Sequence, residues 1–310
     1  DSYYQLHSSG MCYRDISFGN VFFDPDTGDV LICDNDNVAV NRRGKGGVLG
    51  TPKFMAPEIV CGQAAPNRDT DLYSLAVLLF YMFIVHHPLE GQREADIRCF
   101  DLPAMNRIYG TNPLFIFDPE DDSNRPHPTY HRNALEYWPI YPQFLKDLFL
   151  RSFTIGLHDP LQGRVKETEW RAALIRLRDL ISICDDCGAE NFYKAAAGSG
   201  EDSCWSCQAA LRPSYRLELG ARNVVVLNRD TKLFSHHLDG QQSYDFSHVA
   251  AEVSLHPSDP NVWGLKNLTG HKWVATTAAG TVSDVEPGRR IRLAEGTRIN
   301  FNTIEGQIRY

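Results

Sequence analysis

No apolar run in this 310-residue chain is long enough to cross a bilayer; the longest, Leu75 to Val85, holds 11 residues and suits a buried core helix. A basic excess is missing as well. Lys and Arg number 31 against 39 Asp and Glu, a formal net charge of −8. Because a duplex-binding protein needs a basic face, nucleic acid is not expected as the main partner, and neither is a membrane. No basic start leads into an apolar stretch, so no signal peptide is expected. There is no initiator Met, and the chain is expected to be a fragment or a processed product. Tandem repeats and low-complexity tracts are absent. What remains is ordinary globular material, 43% hydrophobic, enough for about two cored domains.

The eight cysteines fall into two groups. Cys12, Cys33, Cys61 and Cys99 are scattered beside apolar residues and read as reduced core thiols. Cys184, Cys187, Cys204 and Cys207 are clustered. The pattern fits a reducing cytoplasm.

Three segments follow from the pattern, together a multidomain α+β chain. Residues 1–183 open with a short helix and two β-rich stretches, Val21–Phe23 and Val30–Cys33, joined by the turn "DPDTGD". They then turn helical: Thr70–Val85 is strongly apolar, Tyr141–Phe153 is a second helix, and Glu167–Ile183 is amphipathic. Pro113–Pro142 reads as a long loop. Residues 184–213 hold the cysteine cluster. Residues 214–310 alternate short β-rich runs (Val224–Leu227, Val249–Leu255, Trp263–Leu268, Lys272–Thr276, Arg290–Leu293, Arg298–Phe301) with turn signals such as "LDGQQ" and "EPGR". That spacing suggests an all-β sandwich or barrel.

The stretch "YRDISFGN", followed by a hairpin and "CDND", carries chemistry. Phosphoryl transfer needs a carboxylate to orient an attacking hydroxyl and oxygen ligands for Mg²⁺. Asp15 fits the first task; Asn20 and Asp34 fit the second.

These residues resemble the protein kinase family. "YRDISFGN" is similar to the catalytic loop, with Tyr13 in place of its His, and "DND" stands where the family has D-F-G. "GTPKFMAPE" resembles the end of the activation segment. Asp71 opens a helix similar to the one whose acid braces the catalytic loop. The resemblance implies catalytic roles for Asp15, Asn20 and Asp34, a substrate-side position for Thr51, a structural ion pair between Glu58 and Arg164, and use of ATP with Mg²⁺. It covers about the last three-fifths of a kinase domain, its mainly α-helical C-terminal lobe. Only 14 residues precede Asp15, so the small lobe with its Gly-rich loop and lysine is not here. "GKGG" follows Asp34 and cannot be that loop. Ser17 replaces the family's Lys, and Asn35 and Asp36 replace its Phe and Gly. The three acting groups favour a divergent active kinase; a non-catalytic pseudokinase scaffold is the alternative. Between Asp34 and Glu58 there is no Ser or Tyr, and Thr51 is the sole hydroxyl side chain. Control by partner docking is therefore expected rather than control by phosphorylation of this segment. Arg42, Arg43 and Lys45 offer a basic tip for an acidic partner, or simply a solvated one.

"CDDC" and "CWSC", 16 residues apart, read as four thiolates on one structural Zn²⁺ in a zinc ribbon, with disulfides or free thiols as the alternative. Asp185, Asp186, Glu190, Glu201 and Asp202 around the knuckles oppose phosphate contact. The tail resembles a forkhead-associated domain at Ser247-His248, at Asn267 and in its closing strands, although the Gly-Arg and Asn-Gly signatures are altered. A structural sandwich without phosphothreonine binding stands beside that reading. His86-His87 and His236-His237 read as loop residues rather than ligands. The segment order resembles bacterial serine/threonine kinases of tellurite-resistance-linked triads. That implies protein substrates and two partners, a von Willebrand A protein and a metal-dependent phosphatase.

Overall fold

The computed structural model describes residues 1–41, 48–194, 203–220, 223–239, 244–256 and 258–310. Arg42, Arg43, the whole of "GKGG" with its Lys45, Glu201 and Asp202 lie outside the described residues. The chain divides into two compact units, Asp1–Leu174 and Ile175–Tyr310. No helix among the described residues is long and apolar enough to cross a membrane.

The first unit starts with α1 (Ser2–Ser8) and the short strand β1 (Met11–Cys12), which pairs antiparallel with β4 (Ala39–Val40). Between them the hairpin of β2 (Val21–Phe23) and β3 (Val30–Ile32) has Val21 opposite Ile32. Its turn closes because Asp24 Oδ1 accepts the N–H groups of Asp26 and Thr27, and Gly28 supplies a φ of 76°.

Helices follow: α2 (Pro57–Val60), α3 (Arg68–Ile84), α4 (Gln92–Ala95), α5 (Leu102–Asn106), α6 (Arg132–Tyr137), α7 (Gln143–Phe153), α8 (Ile155–His158) and α9 (Glu167–Asp179). Asn67 and Thr70 form a reciprocal capping box that starts α3. Leu72, Tyr73, Ala76, Val77, Leu78, Phe80 and Ile84 are all buried, so α3 is apolar nearly all round and forms the centre of this unit. Phe80 meets Phe149 edge-on at 5.2 Å and Phe115 at 5.7 Å, and Phe149 packs on Trp170 at 4.9 Å. Such tilted aromatic contacts add to plain area burial.

Three expectations for residues 1–183 are corrected. The stretch 113–142 contains α6, and its irregular part is pinned by buried Asn124, whose amide donates to the carbonyls of Leu89 and Leu114. The last helix stops at Asp179, because Ile181–Ile183 leaves it as strand β5 and pairs with β6 (Glu190–Phe192). Its β-branched residues and a pairing partner outweigh helical continuation. Of the scattered cysteines only Cys12 is buried, while Cys99 is exposed.

The second unit carries two antiparallel sheets. Its further strands are β7 (Arg216–Leu219), β8 (Asn223–Val226), β9 (Lys232–Phe234), β10 (Val249–His256), β11 (Asp259–Asn267), β12 (Trp273–Thr276), β13 (Val282–Val285), β14 (Arg290–Arg292), β15 (Arg298–Asn300) and β16 (Glu305–Arg309). One sheet runs β14-β11-β10-β9 and the other β13-β12-β15-β16-β7-β8. Leu217, Val225, Ala251, Val253, Leu265, Trp273, Ile299 and Ile308, drawn from both sheets, form one buried core, the arrangement of a sandwich. His236 and His237 are not loop residues. They lie buried in α10 (Ser235–Leu238), and His237 Nε2 meets Asp179 at 3.2 Å.

Candidate functional site

The loop between β1 and β2 is fixed from below by α3. Asp71, in the first turn of α3, accepts the backbone N–H of Tyr13 at 2.6 Å and that of Arg14 at 2.9 Å. Arg14 sits at φ 72°, a conformation costly for a side chain with a Cβ, and persists because both ends are tied. Its N–H goes to Asp71, and its Nε donates to the Asn37 carbonyl at 2.8 Å. Tyr13 is buried, and its hydroxyl donates to the Cys33 carbonyl. Burial first, then the nearby charges of Asp34 and Asp15, push the Tyr13 hydroxyl up to about 12.

Asp15 comes next in the chain and is held on three sides. Its Oδ1 accepts the Thr51 N–H and the Thr51 hydroxyl, each at 2.8 Å. Its Oδ2 and its backbone carbonyl accept the Asn20 amide N–H groups at 3.0 and 2.9 Å. With Nδ2 spent in this way, Asn20 keeps its carbonyl oxygen for another ligand. Gly50 makes the Thr51 approach feasible. At φ 111°, a Cβ there would lie 3.2 Å from the Arg14 carbonyl and 3.1 Å from Met55.

Asp34 arrives by the hairpin. Val21 opposite Ile32 and the bond from Cys33 N–H to the Asn20 carbonyl, 2.9 Å, set Asn20 and Asp34 at the same open end of β2–β3. Asp34 is exposed and left-handed at φ 51°. The donor set around it, a carboxylate and an amide carbonyl, is the hard oxygen chemistry that Mg²⁺ takes. The structure therefore brings Asp15, Asn20 and Thr51 into direct contact and sets Asp34 beside them.

Glu58 and Arg164, 106 residues apart, form a two-pronged pair, Nη1–Oε1 and Nη2–Oε2 both 2.8 Å. Arg164 also donates to the carbonyls of Asp69 and Gly156, so the buried guanidinium is well satisfied.

Sequence reasoning missed two residues around Asp71. His7, buried, meets Asp71 Oδ2 through Nε2 at 3.0 Å and Glu167 Oε1 through Nδ1. No local signal marks them, since Glu167 lies 160 residues from His7.

In the second unit, the sulfurs of Cys184, Cys187, Cys204 and Cys207 all lie within 4.8 Å of one another. The Cys184–Cys207 and Cys187–Cys204 pairs are 3.7 Å apart. A tetrahedron with Zn–S of about 2.3 Å has edges of about 3.8 Å, whereas a disulfide needs about 2.05 Å. The four thiols thus fit Zn²⁺ and leave no ligand position open. The knuckles repeat one turn: Gly188 N–H bonds the Cys184 carbonyl and Gln208 N–H the Cys204 carbonyl, each 2.9 Å, with φ of 76° and 62°. The Cys207 backbone N–H lowers the Cys204 thiol pKa below its usual range, as a metal-facing thiolate needs.

The forkhead-like positions are differently used. Asn267 is fully buried and donates to the carbonyls of His271 and Val285. Ser247, exposed, bonds Asp245 and His248.

Residues 2–138 match the family model described as the protein kinase domain. A stretch of 96 residues is 36% identical to protein kinase C-like 1 of Candida albicans, covering 30% of this chain and 8% of that protein. Protein kinase gsk3 of Schizosaccharomyces pombe is 25% identical over 170 residues, 53% of this chain and 40% of the relative. Protein kinase C delta type of Mus musculus is 37% identical over 95 residues, 30% of this chain and 14% of the relative. The chain spans a minor part of each relative's own length. The matched segment contains Asp15, Asn20, Asp34, Thr51 and Glu58.

Proposed function

We propose that this chain supplies the catalytic-loop lobe of a protein serine/threonine kinase, residues 1–183, followed by a zinc ribbon, 184–213, and a forkhead-associated-like sandwich, 214–310. The observation that carries the reading is the Asp15–Thr51–Asn20 contact at the end of the β2–β3 hairpin. Asp15 is the carboxylate that accepts the hydrogen bond of the acceptor hydroxyl and then its proton; Thr51 fixes the rotamer in which it does so. Asn20 and Asp34 are the residues that would hold Mg²⁺, which, when bound with ATP, neutralises charge on the phosphates. Asp71 and Arg14 keep the loop rigid, so alignment of the hydroxyl is supplied before the reaction.

Phosphate alignment also needs a second wall. Phe22, Phe23, Val30 and Leu31 leave both faces of the hairpin apolar and exposed, which suits cover by a second lobe. In this reading the 310 residues alone transfer nothing, and the complete protein does. The cytoplasmic setting, the bacterial context and the von Willebrand A and metal-dependent phosphatase partners belong to the same proposal, supported by the order of the segments. The sandwich acts structurally within it, supported by the inward use of Asn267.

The pseudokinase scaffold remains the competing reading on one observation. Ser17 is buried where the family has its phosphate-facing Lys, and exposed Asn35 and Asp36 stand in place of Phe and Gly. Titration of the full-length protein with ATP, with and without Mg²⁺, separates them. Metal-dependent binding with phosphate transfer to a protein hydroxyl supports the kinase. Absence of nucleotide binding in the folded protein would leave the scaffold.

A further inference from the structure

The brace under the catalytic loop has an outer layer that phosphotransfer chemistry does not itself require. Asp71 is joined to the loop on one side through the N–H groups of Tyr13 and Arg14, and to His7 on the other. His7 in turn bonds Glu167 of α9, and Glu167 is met by Arg68 at 3.2 Å. One imidazole thus bridges two carboxylates, and both its ring nitrogens act as donors only when it is the imidazolium.

We propose that Glu167 is a positioning residue of the Asp15 site, acting through His7 on the carboxylate of Asp71. The inference rests on the kinase reading of Asp15. Asp71 Oδ2 takes both the His7 contact and the Tyr13 N–H, so the orientation of His7 sets where the carboxylate points. The carboxylate's other oxygen holds the left-handed Arg14, and Asp15 follows in the chain. Without a charged His7 the strained Arg14 loses part of its restraint, and Asp15 loses its fixed place against Thr51.

The charged and titratable groups around His7 include Tyr3 on its own helix, Asp71 and, through Glu167, Arg68 on α3, Glu167 on α9 with the Asp1 amino group and Arg171 beside it, and Cys12 and Tyr13 beside Asp71. Burial alone would lower the His7 pKa, but the bonds to Asp71 and Glu167 override it and raise it above 6.5. For Glu167, burial pulls upward, and His7, ahead of Arg68, draws it down to about 2. Both carboxylates thus favour the imidazolium, and removing either moves the His7 titration toward lower pH.

The test uses the full-length protein as wild type and as Glu167→Gln. Phosphate transfer is measured from pH 6 to pH 8, and NMR follows the His7 ring nitrogens and the Tyr13 and Arg14 amides. Expected for Glu167→Gln is a kcat about tenfold lower at pH 8 that recovers toward pH 6, with KM for ATP and acceptor nearly unchanged. His7→Gln should abolish that pH dependence, and the double variant should be no worse than His7→Gln alone. In wild type the Tyr13 and Arg14 amide signals should titrate together with the His7 ring, a readout that needs neither activity nor a folded variant. A loss equal at pH 6 and pH 8, or amide signals that ignore the His7 titration, overturns the proposal. If the wild type transfers no phosphate, the kinase reading fails, and the coupled NMR titration still decides whether Glu167 and His7 position the loop.

Discussion

Asp15 and Asp34 are both acids at the end of apolar stretches, yet the fold treats them oppositely. Asp15 is enclosed: Thr51 and Asn20 bond its carboxylate, and Asp71 fixes the backbone just before it. Asp34 is exposed on a left-handed turn. In the proposed kinase reading, the group that meets a hydroxyl at one angle is the one the protein holds rigid, and the group that would hold a metal ion is the one left to gain its restraint from metal and nucleotide. On that proposal, the contrast teaches that the site is half built in the chain and half completed by what it binds.

The largest effect that could break the contrast is Asp34→Ala in the full-length protein. Transfer should vanish through loss of metal while the melting temperature stays within about 1 °C, because an exposed side chain contributes little to the fold. A large drop in melting temperature would mean that Asp34 is structural after all. Next comes Glu58→Ala, which leaves the buried Arg164 without its carboxylate and should cost about 3–5 kcal/mol in urea unfolding. A loss under about 1 kcal/mol would deny that this pair locks the end of the activation segment to the helical core.

The cysteine cluster sharpens the comparison from the other unit, since there too a bound ion would complete what the chain leaves open. One Zn²⁺ per chain is expected by elemental analysis. Cys204→Ser should melt the ribbon strands β5 and β6 while leaving the buried cores of the other parts folded. Protein purified without chelator and free of zinc would contradict this.

The smallest effect is a pH slope. Burial lowers His87 and His131 to about 4 from 6.5. Both are neutral when folded at pH 5, whereas the unfolded chain protonates them, so stability is fully present above pH 6.5 and declines as pH falls toward 4. His87→Gln should flatten the urea-midpoint slope within that window; an unchanged slope would remove His87 from the account.

Much of the site was legible because its parts are contiguous. The Asp15–Asn20 spacing, the hairpin and Asp34 all lie within 20 residues, and two C-x-x-C pairs declare a four-thiolate cluster by themselves. What stayed hidden depends on distance. His7, Glu167 and the His237–Asp179 contact join residues remote in sequence, and no local pattern marks them. Strands β13 and β16 were missed for another reason. Val282, Ser283 and Asp284 are exposed on an edge strand, and "EGQIR" buries only Gly306 and Ile308, so neither shows a full apolar alternation. The helix ending at Asp179 failed because pairing with Glu190–Phe192, invisible locally, decides the fate of Ile181–Ile183.

The most direct test of the central claim is the rate of phosphate transfer by full-length Asp15→Asn, measured beside its affinity for Mg²⁺–ATP. Transfer should fall by about three orders of magnitude or more with nucleotide affinity nearly intact, because Asp15 acts on the hydroxyl and not on the nucleotide. Transfer at the wild-type rate in Asp15→Asn would contradict the account.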